Sequence, residues 1–397
     1  MWGIASGSSG KDFYIYNPWH QQTVDEFKKR FTHSVELNDR VLNFNSSEMT
    51  AYEIANKETR FDKNKDLLFS GGGTINLNQN LDLGIGGLIF DAGKSYTVNG
   101  TGFKYKGAGI DIGKDTIVEW NIAGMSNDDL HKIGAGTLNV NVKQGNNLKI
   151  GNGTVVLKTE KTFNNVYLAS GAGTVKLDHA NALNQENKVT GIFFGTRGGT
   201  LDVNGFDQVF KRIAASDEGA VVTNTASKRA NINFELPWKY AYHGQFQGNL
   251  NVNHEFQTAT TNKEELEKRH LVFDGGMSID GDVSLKNSVL TFQGMPTTHA
   301  IFRDKHCITC SSNWVAEIQG KENDINNQLN THYMSNNQAS SFEQPDWETR
   351  TYAFKSLKLD NATVNVGRNA WIIGDITAVQ EPRKLKNDAY ARGLSKR

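Results

Sequence analysis

The chain has 397 residues, with 43 Lys and Arg set against 43 Asp and Glu, a balance that builds no field for a nucleic acid or an anionic membrane. Hydrophobic residues make up 37% and aromatics 10%, too many for a disordered chain, and no apolar run reaches the roughly 18 residues of a transmembrane helix. The 39 glycines against 5 prolines suit short strands joined by glycine corners, and a chain built that way need not split into compact domains.

Residues 1–31 read as two short strands, around Trp2–Ala5 and Phe13–Tyr16, followed by a helix. Thr23-Val24-Asp25-Glu26 is its capping box, and Val24, Phe27 and Phe31 form its apolar face. The turn Ser6-Gly7-Ser8-Ser9-Gly10 offers two hydroxyls without an identifiable base. Met1-Trp2-Gly3-Ile4 has no basic or apolar leader, and the start is read as truncated. Residues 32–66 are a polar connector.

From residue 67 a phrase returns, Gly-Thr-apolar-x-apolar: Gly73-Thr74-Ile75-Asn76-Leu77, Gly136-Thr137-Leu138-Asn139-Val140, Gly153-Thr154-Val155-Val156-Leu157, Gly173-Thr174-Val175-Lys176-Leu177 and Gly199-Thr200-Leu201-Asp202-Val203. The last four copies are 17, 20 and 26 residues apart, counted from Gly136, Gly153, Gly173 and Gly199. Each is a strand about two pleats long, with apolar side chains on one face and a polar one between them. No such unit can bury its own face, but stacked copies can, so the spacing predicts a parallel β-helix. Weaker copies lie at Gly87–Phe90, Gly248–Val252, Gly281–Leu285 and Ser288–Phe292. Asn76, Asn78, Asn80, Asn139, Asn141, Asn251 and Asn253 are expected in left-handed corners or in hydrogen-bonded ladders. About 250 residues at ~20 per coil predict roughly 12 coils and a rod of about 55–60 Å.

The pattern loosens over 226–246, around Trp238, Tyr240, Tyr242 and His243, which read either as an exposed contact site or as packing where a loop rejoins the coil. Thr261-Asn262-Lys263-Glu264 predicts a helical excursion within 258–270. Strands resume over 271–296, a polar loop fills 297–345, and strands return to 378. Residues 379–397 are basic, without apolar alternation, and read as a frayed tail.

Little in this pattern supports chemistry. Cys307 and Cys310, in His306-Cys307-Ile308-Thr309-Cys310, are read as a small-loop disulfide or inert thiols. A redox dithiol wants a helix N-terminus, and zinc wants a second ligand pair, for which His299 and His306 are the nearest candidates. Asp82, Asp111, Asp115, Asp178 and Asp202 share no offset from their strands, unlike the acidic clusters of β-helical polysaccharide enzymes. Asp274-Gly275-Gly276-Met277-Ser278-Ile279-Asp280-Gly281-Asp282 is a faint echo of a calcium nonapeptide and reads as two turns flanking a strand. His131 and Arg197 are expected as ladder or corner residues. No cofactor, catalytic residue or metal site is assigned.

The runs from Trp120 through Asp129-Leu130-His131-Lys132-Ile133-Gly134-Ala135-Gly136, and from Phe193 through Gly195-Thr196-Arg197-Gly198-Gly199-Thr200 to Gly205, resemble the secreted serine protease autotransporters of Gram-negative bacteria, relatives of immunoglobulin A protease. Tyr242-His243-Gly244-Gln245, Leu290 through Gly294-Met295-Pro296 to Ala300, Asp346-Trp347-Glu348-Thr349-Arg350 and Gly367-Arg368-Asn369-Ala370 are similar too, in family order across about residues 1–378. The resemblance implies a chymotrypsin-like protease domain, then a right-handed β-helix stalk, then an outer-membrane barrel. It makes 1–31 the end of the protease domain and 67–378 the stalk. The family's nucleophile motif, Gly-Asp-Ser-Gly-Ser-Pro, does not occur in these residues, so no catalytic residue is carried over. The cysteine pair and residues 379–397 depart from the family pattern, and both ends read as truncated. The implied setting is secreted or on the cell surface, via periplasm and outer membrane. The implied partners are host extracellular proteins or mucosal glycoproteins and the parent's own barrel, with the segment itself a monomer. Two functions are expected: a stalk that supports and presents a serine endopeptidase and aids its export, or an adhesive β-helix that binds host proteins or glycans without protease activity.

Overall fold

The computed structural model describes residues 66–77, 80–185, 188–195, 197–236, 239–296, 347–367 and 369–378. The strands and helix expected within 1–31, nearly all of the connector, the whole of the 297–345 loop and the 379–397 tail lie outside them.

The described chain winds into a parallel β-solenoid of about 11 turns, whose first strand is Leu67–Phe69 and whose last is Ala370–Ala378. One face is an eight-stranded sheet running from Leu67–Phe69 to Ile213–Ala215, followed in later coils by a four-stranded sheet from Tyr240–Tyr242 to Thr363–Val366. The second face carries the recurring phrase, from Gly73–Asn76 onward. A third face becomes regular strand from Gln208–Phe210, through Ala230–Phe234, Leu250–Glu255 and Asp282–Lys286. The second and third faces merge where the long strands Ser95–Lys106 and Arg350–Asp360 turn the corner between them, each with a register break at that bend. Coil-to-coil pairing is parallel throughout. The antiparallel pairs among the described residues are local: Asn184–Gln185 with Lys188–Val189, and Met295–Pro296 with Trp347–Glu348.

Register explains why the phrase recurs. Thr137, Thr154, Thr174 and Thr200 stand opposite one another on successive coils. The next residue of each points inward, giving the column Tyr96, Val118, Leu138, Val155, Val175, Leu201, Val222, Phe246, Met277, Tyr352. These side chains are 0–4% exposed, and burying each contributes about 1.5–3 kcal/mol. The copy at Gly73 is two residues out of step, since Ile75 pairs with Val98 and hence with Trp120 and Val140. A two-residue shift keeps the same side chains inside. The weaker copies at Gly87 and Ser288 feed the first face, and those at Gly248 and Gly281 the third.

Asparagines tie the outside together. Asn99 donates to Asn76 (2.8 Å), Asn121 to Asn99 (2.8 Å) and Asn141 to Asn121 (2.9 Å), while Asn251 and Asn253 donate to Asn231 and Asn233 (2.9 Å each). Asn139 donates instead to Glu119, and Asn80 accepts from the Lys104 backbone. The expected helix spans Lys263–Lys268, but its cap is Asn262, one residue later than the Thr261 box predicted. The Asn262 side chain accepts from Glu264 N and Glu265 N.

The corner glycines differ in how tightly they are held. At Gly153 φ is +73°, and an added Cβ would lie 2.3–2.4 Å from Lys132 Nζ and the carbonyls of Gly134 and Gly136. At Gly145 φ is +75° with nothing within 4 Å. We therefore expect Gly145→Ala to cost about 1 kcal/mol, for the backbone conformation alone, and Gly153→Ala to cost about 3 kcal/mol or more. Urea unfolding of both variants measures the difference.

Candidate functional site

The corner joining the first and second faces buries several polar side chains, among them Thr116, Lys132, Ser170, Asp274 and Gln293. Strand ends there leave carbonyls pointing at one another, and each needs a donor. The Tyr96 hydroxyl donates to Phe69 O (3.0 Å). Tyr352, two residues after Arg350 in its strand, donates to Phe273 O (2.7 Å) and Gln293 O (2.5 Å).

Lys132 occupies the same corner in an unusual way. It stands in an inward column between Ile110 and Ile150, where its neighbours are apolar, and it is 0% exposed. Its Nζ reaches the corner and donates to Gly134 O (2.6 Å), Gly136 O (2.6 Å) and Asn152 O (2.9 Å). Three carbonyls match the three protons of an ammonium. Burial pulls the amine down to about 7, while the Asp111 carboxylate favours its charge.

Further along, His243 Nδ1–H donates to both oxygens of Asp274, at 2.8 and 2.9 Å. The Asp274 side chain is 0% exposed and that of His243 24%. Arg350 joins them: its Nε donates to Asp274 O (3.1 Å), and Nη2 meets Glu348 (2.8 Å) and Glu218 (3.4 Å). The cluster therefore staples successive coils. Burial alone would lower the His243 pKa, but the bonded Asp274 carboxylate holds it above the usual imidazole range. Burial raises Asp274, against the pull of His243 and Arg350.

The aromatic group expected near this point is divided by the structure. Tyr242 is 0% exposed and packs among Phe234, Phe246 and Phe273, so it is a core residue and cannot touch a partner. Alternation decides this, because Tyr242 faces in where Ala241 faces out. Tyr240 is half-buried, its hydroxyl bonded to Ile213 O. Trp238, Cys307, Cys310, His299, His306, Ser8 and Ser9 lie outside the described residues. His131 sits in a strand with Nδ1–H donating to Ala108 O (3.1 Å), and Arg197 turns a corner at φ +64° with its N–H on Asp217. Asp82 caps Gly84 N, Asp202 binds Thr225, Asp111 is buried on the first face, and Asp178 pairs with Lys158 across adjacent coils at 4.0 Å. These acids do not converge. Residues 274–282 are two turns around the strand Met277–Ile279. The missed features are Lys132 and Asp274. The signal was there for Lys132, a lysine where the strand alternation Leu130-x-Lys132 demands an inward residue.

Among the described residues no nucleophile, base and orienting carboxylate come together, and no three potential metal ligands cluster. His270 does meet a hydroxyl, Thr291 Oγ1 at 2.7 Å, but both are buried. Fold and side chains thus define a class: a long β-solenoid scaffold whose polar interior groups satisfy its own corners.

Residues 248–384 match the family described as the PIC/HAP1/IgA0 second beta-solenoid repeat region. The chain is 48% identical over 389 residues to the serine protease EspC of Escherichia coli O127:H6, covering 95% of this chain and 29% of that protein. It is 34% identical over 279 residues to the adhesion and penetration protein autotransporter of Haemophilus influenzae, covering 63% of this chain and 19% of that protein. The solved passenger domain of the plasmid-encoded toxin, an autotransporter enterotoxin of enteroaggregative E. coli, superposes with a TM-score of 0.70 at 42% identity, covering 90% of this chain and 37% of that one. The chain belongs to the serine protease autotransporters, as a β-helical segment of their passenger, and it is secreted or surface-displayed by a Gram-negative cell. It spans 29% of the length of EspC and 19% of that of the adhesion and penetration protein.

Because folded His243 keeps its proton to higher pH than a free imidazole, the folded state binds more protons from about pH 6.5 upward. The stability it contributes is complete below that pH and is lost as pH rises through the folded value. We expect the wild type's margin in Tm over His243→Gln to shrink across this window, the buried Lys132 acting equally in both. By leaving Asp274 buried without its charged partner, the variant should also cost about 3 kcal/mol near pH 6. Thermal scans at stepped pH measure both effects.

Proposed function

We propose that this segment is the stalk that supports and presents the serine endopeptidase domain of its parent and that helps carry the passenger out of the cell. The observation that carries this reading is the unbroken inward column from Tyr96 to Tyr352, in which each coil completes the burial of the one before. A chain emerging through a pore can fold coil by coil on such a template, and folded coils outside resist return. In this reading residues 1–31 end the protease domain, 32–66 connect it, 67–378 are the stalk with loop excursions near 226–246, 258–270 and 297–345, and 379–397 depart from the coil pattern. The parent's partners are host extracellular proteins or mucosal glycoproteins, and its own barrel anchors it during export.

Adhesion through the loops is the second reading, favoured by the similarity to an adhesion and penetration protein. It predicts that the purified chain binds host cells by itself, at a site removed by deleting a loop excursion.

The stalk reading is tested in the parent. Val155→Asp with Val175→Asp places adjacent carboxylates in one inward column. We expect secreted passenger to drop at least tenfold at unchanged synthesis, measured by immunoblot of supernatant and cells, and unchanged secretion overturns the proposal. Separately, the purified 397-residue chain is expected to hydrolyse neither casein nor peptide substrates. Turnover abolished by a serine protease inhibitor contradicts this.

A further inference from the structure

The excursion between the strands Leu250–Glu255 and His270–Phe273 carries the short helix Lys263–Lys268, none of whose residues is buried. Arg269 is one of the residues that close it. The Arg269 guanidinium donates to Thr258 O (2.6 Å) and Asn287 O (3.2 Å) and lies 4.6 Å over the Phe256 ring. Arg269 thus ties the start of the excursion to its end and to the next coil. Its carbonyl is in turn held from inside the rod, by His254 Nε2–H at 2.8 Å.

His254 faces inward opposite Leu285 and is 3% exposed. Its other nitrogen, Nδ1, is buried with no hydrogen-bond partner. A second proton would therefore sit on buried Nδ1, beside the Arg269 guanidinium, with only the backbone of Phe234 to favour it. His270, at the far end of the excursion, is 8% exposed and bonded to Thr291 Oγ1 at 2.7 Å. The charged groups facing the two rings are Arg269, which opposes charge on His254, and Lys239 and Glu267, which act on His270 in opposite senses, while His254 itself opposes charge on His270. Lys239 and Glu267 are themselves paired at 2.8 Å. Burial is the largest influence on both rings and favours the neutral form, holding His270 down to about 4. The carbonyl of Arg269 and the backbone of Phe234 favour charge on His254 but are outweighed.

We propose that the excursion of residues 256–269 is an acid-released loop, with His254 and His270 as the buried triggers at its two ends and Arg269 as the clasp. Protonation of the buried rings is relieved when the clasp lets go and water reaches them, while the stacked columns on either side hold. Since the folded rings bind fewer protons than unfolded ones, closure is complete above about pH 6.5 and is lost as pH falls from there toward 4. For His270 alone, the step from the free value to about 4 favours opening about 10²-fold at about pH 4.5.

The test is hydrogen–deuterium exchange of the full chain at about pH 7.5 and 4.5, corrected for intrinsic exchange rates. Peptides within 254–273 are expected to lose protection at least tenfold at the lower pH, while peptides within 137–177 keep theirs. The double variant His254→Gln, His270→Asn supplies polar groups that do not titrate and is expected to show no such loss. Unchanged protection in the wild type, an equal loss along 137–177, or the same loss in the double variant overturns the proposal. If circular dichroism shows the double variant unfolded at about pH 7.5, His270→Asn alone is read in its place. It must then lose less protection than the wild type, and an equal loss overturns the proposal.

Discussion

Everything in this rod depends on inward side chains stacking in register from coil to coil. A two-pleat strand offers two or three apolar residues, far too few to offset the entropy of ordering the coil that carries it. Val155 is worth burying only because Leu138 lies under it and Val175 over it. Stability is therefore a property of neighbours, and the fold grows along one axis without a central core.

The corners follow from the same constraint. Keeping the columns aligned forces sharp bends at fixed points, and sharp bends gather carbonyls. Where glycine gives the bend, as at Gly153, another residue must still satisfy the oxygens, and Lys132 does so with a buried ammonium. Tyr96, Tyr352 and the His243–Asp274–Arg350 cluster solve the same problem on other coils. Polar residues deep in the rod are thus consequences of its winding. Among the described residues they bring no nucleophile, base and orienting carboxylate together.

The excursions add a different element. Loops leave only at corners, because a departure within a strand would break a column. The helical excursion is fastened by its own Arg269 and by His254 of the strand before it. The rod can carry loops of varied length without loss of register, which suits a stalk from which variable surfaces are displayed.

Much of this was legible in the chain. The recurring phrase, its inward and outward alternation, the asparagine ladders and the helical excursion each rest on local periodicity or local capping, and local physics writes those into sequence. What could not be read was which residues a coil brings together across 20 to 130 positions. Tyr242 read either as part of an exposed contact site or as packing where a loop rejoins the coil, and it is core, because its face was set by pairing with Phe273. Asp274 looked like a turn residue and is the buried partner of His243. Lys132 looked like one more polar residue of a family run. By itself the sequence determined that the chain would coil, since period and alternation are properties of neighbouring residues. Only the tertiary structure decided which charges are buried, which corner each lies in and which loops they clasp, since those depend on the register between coils.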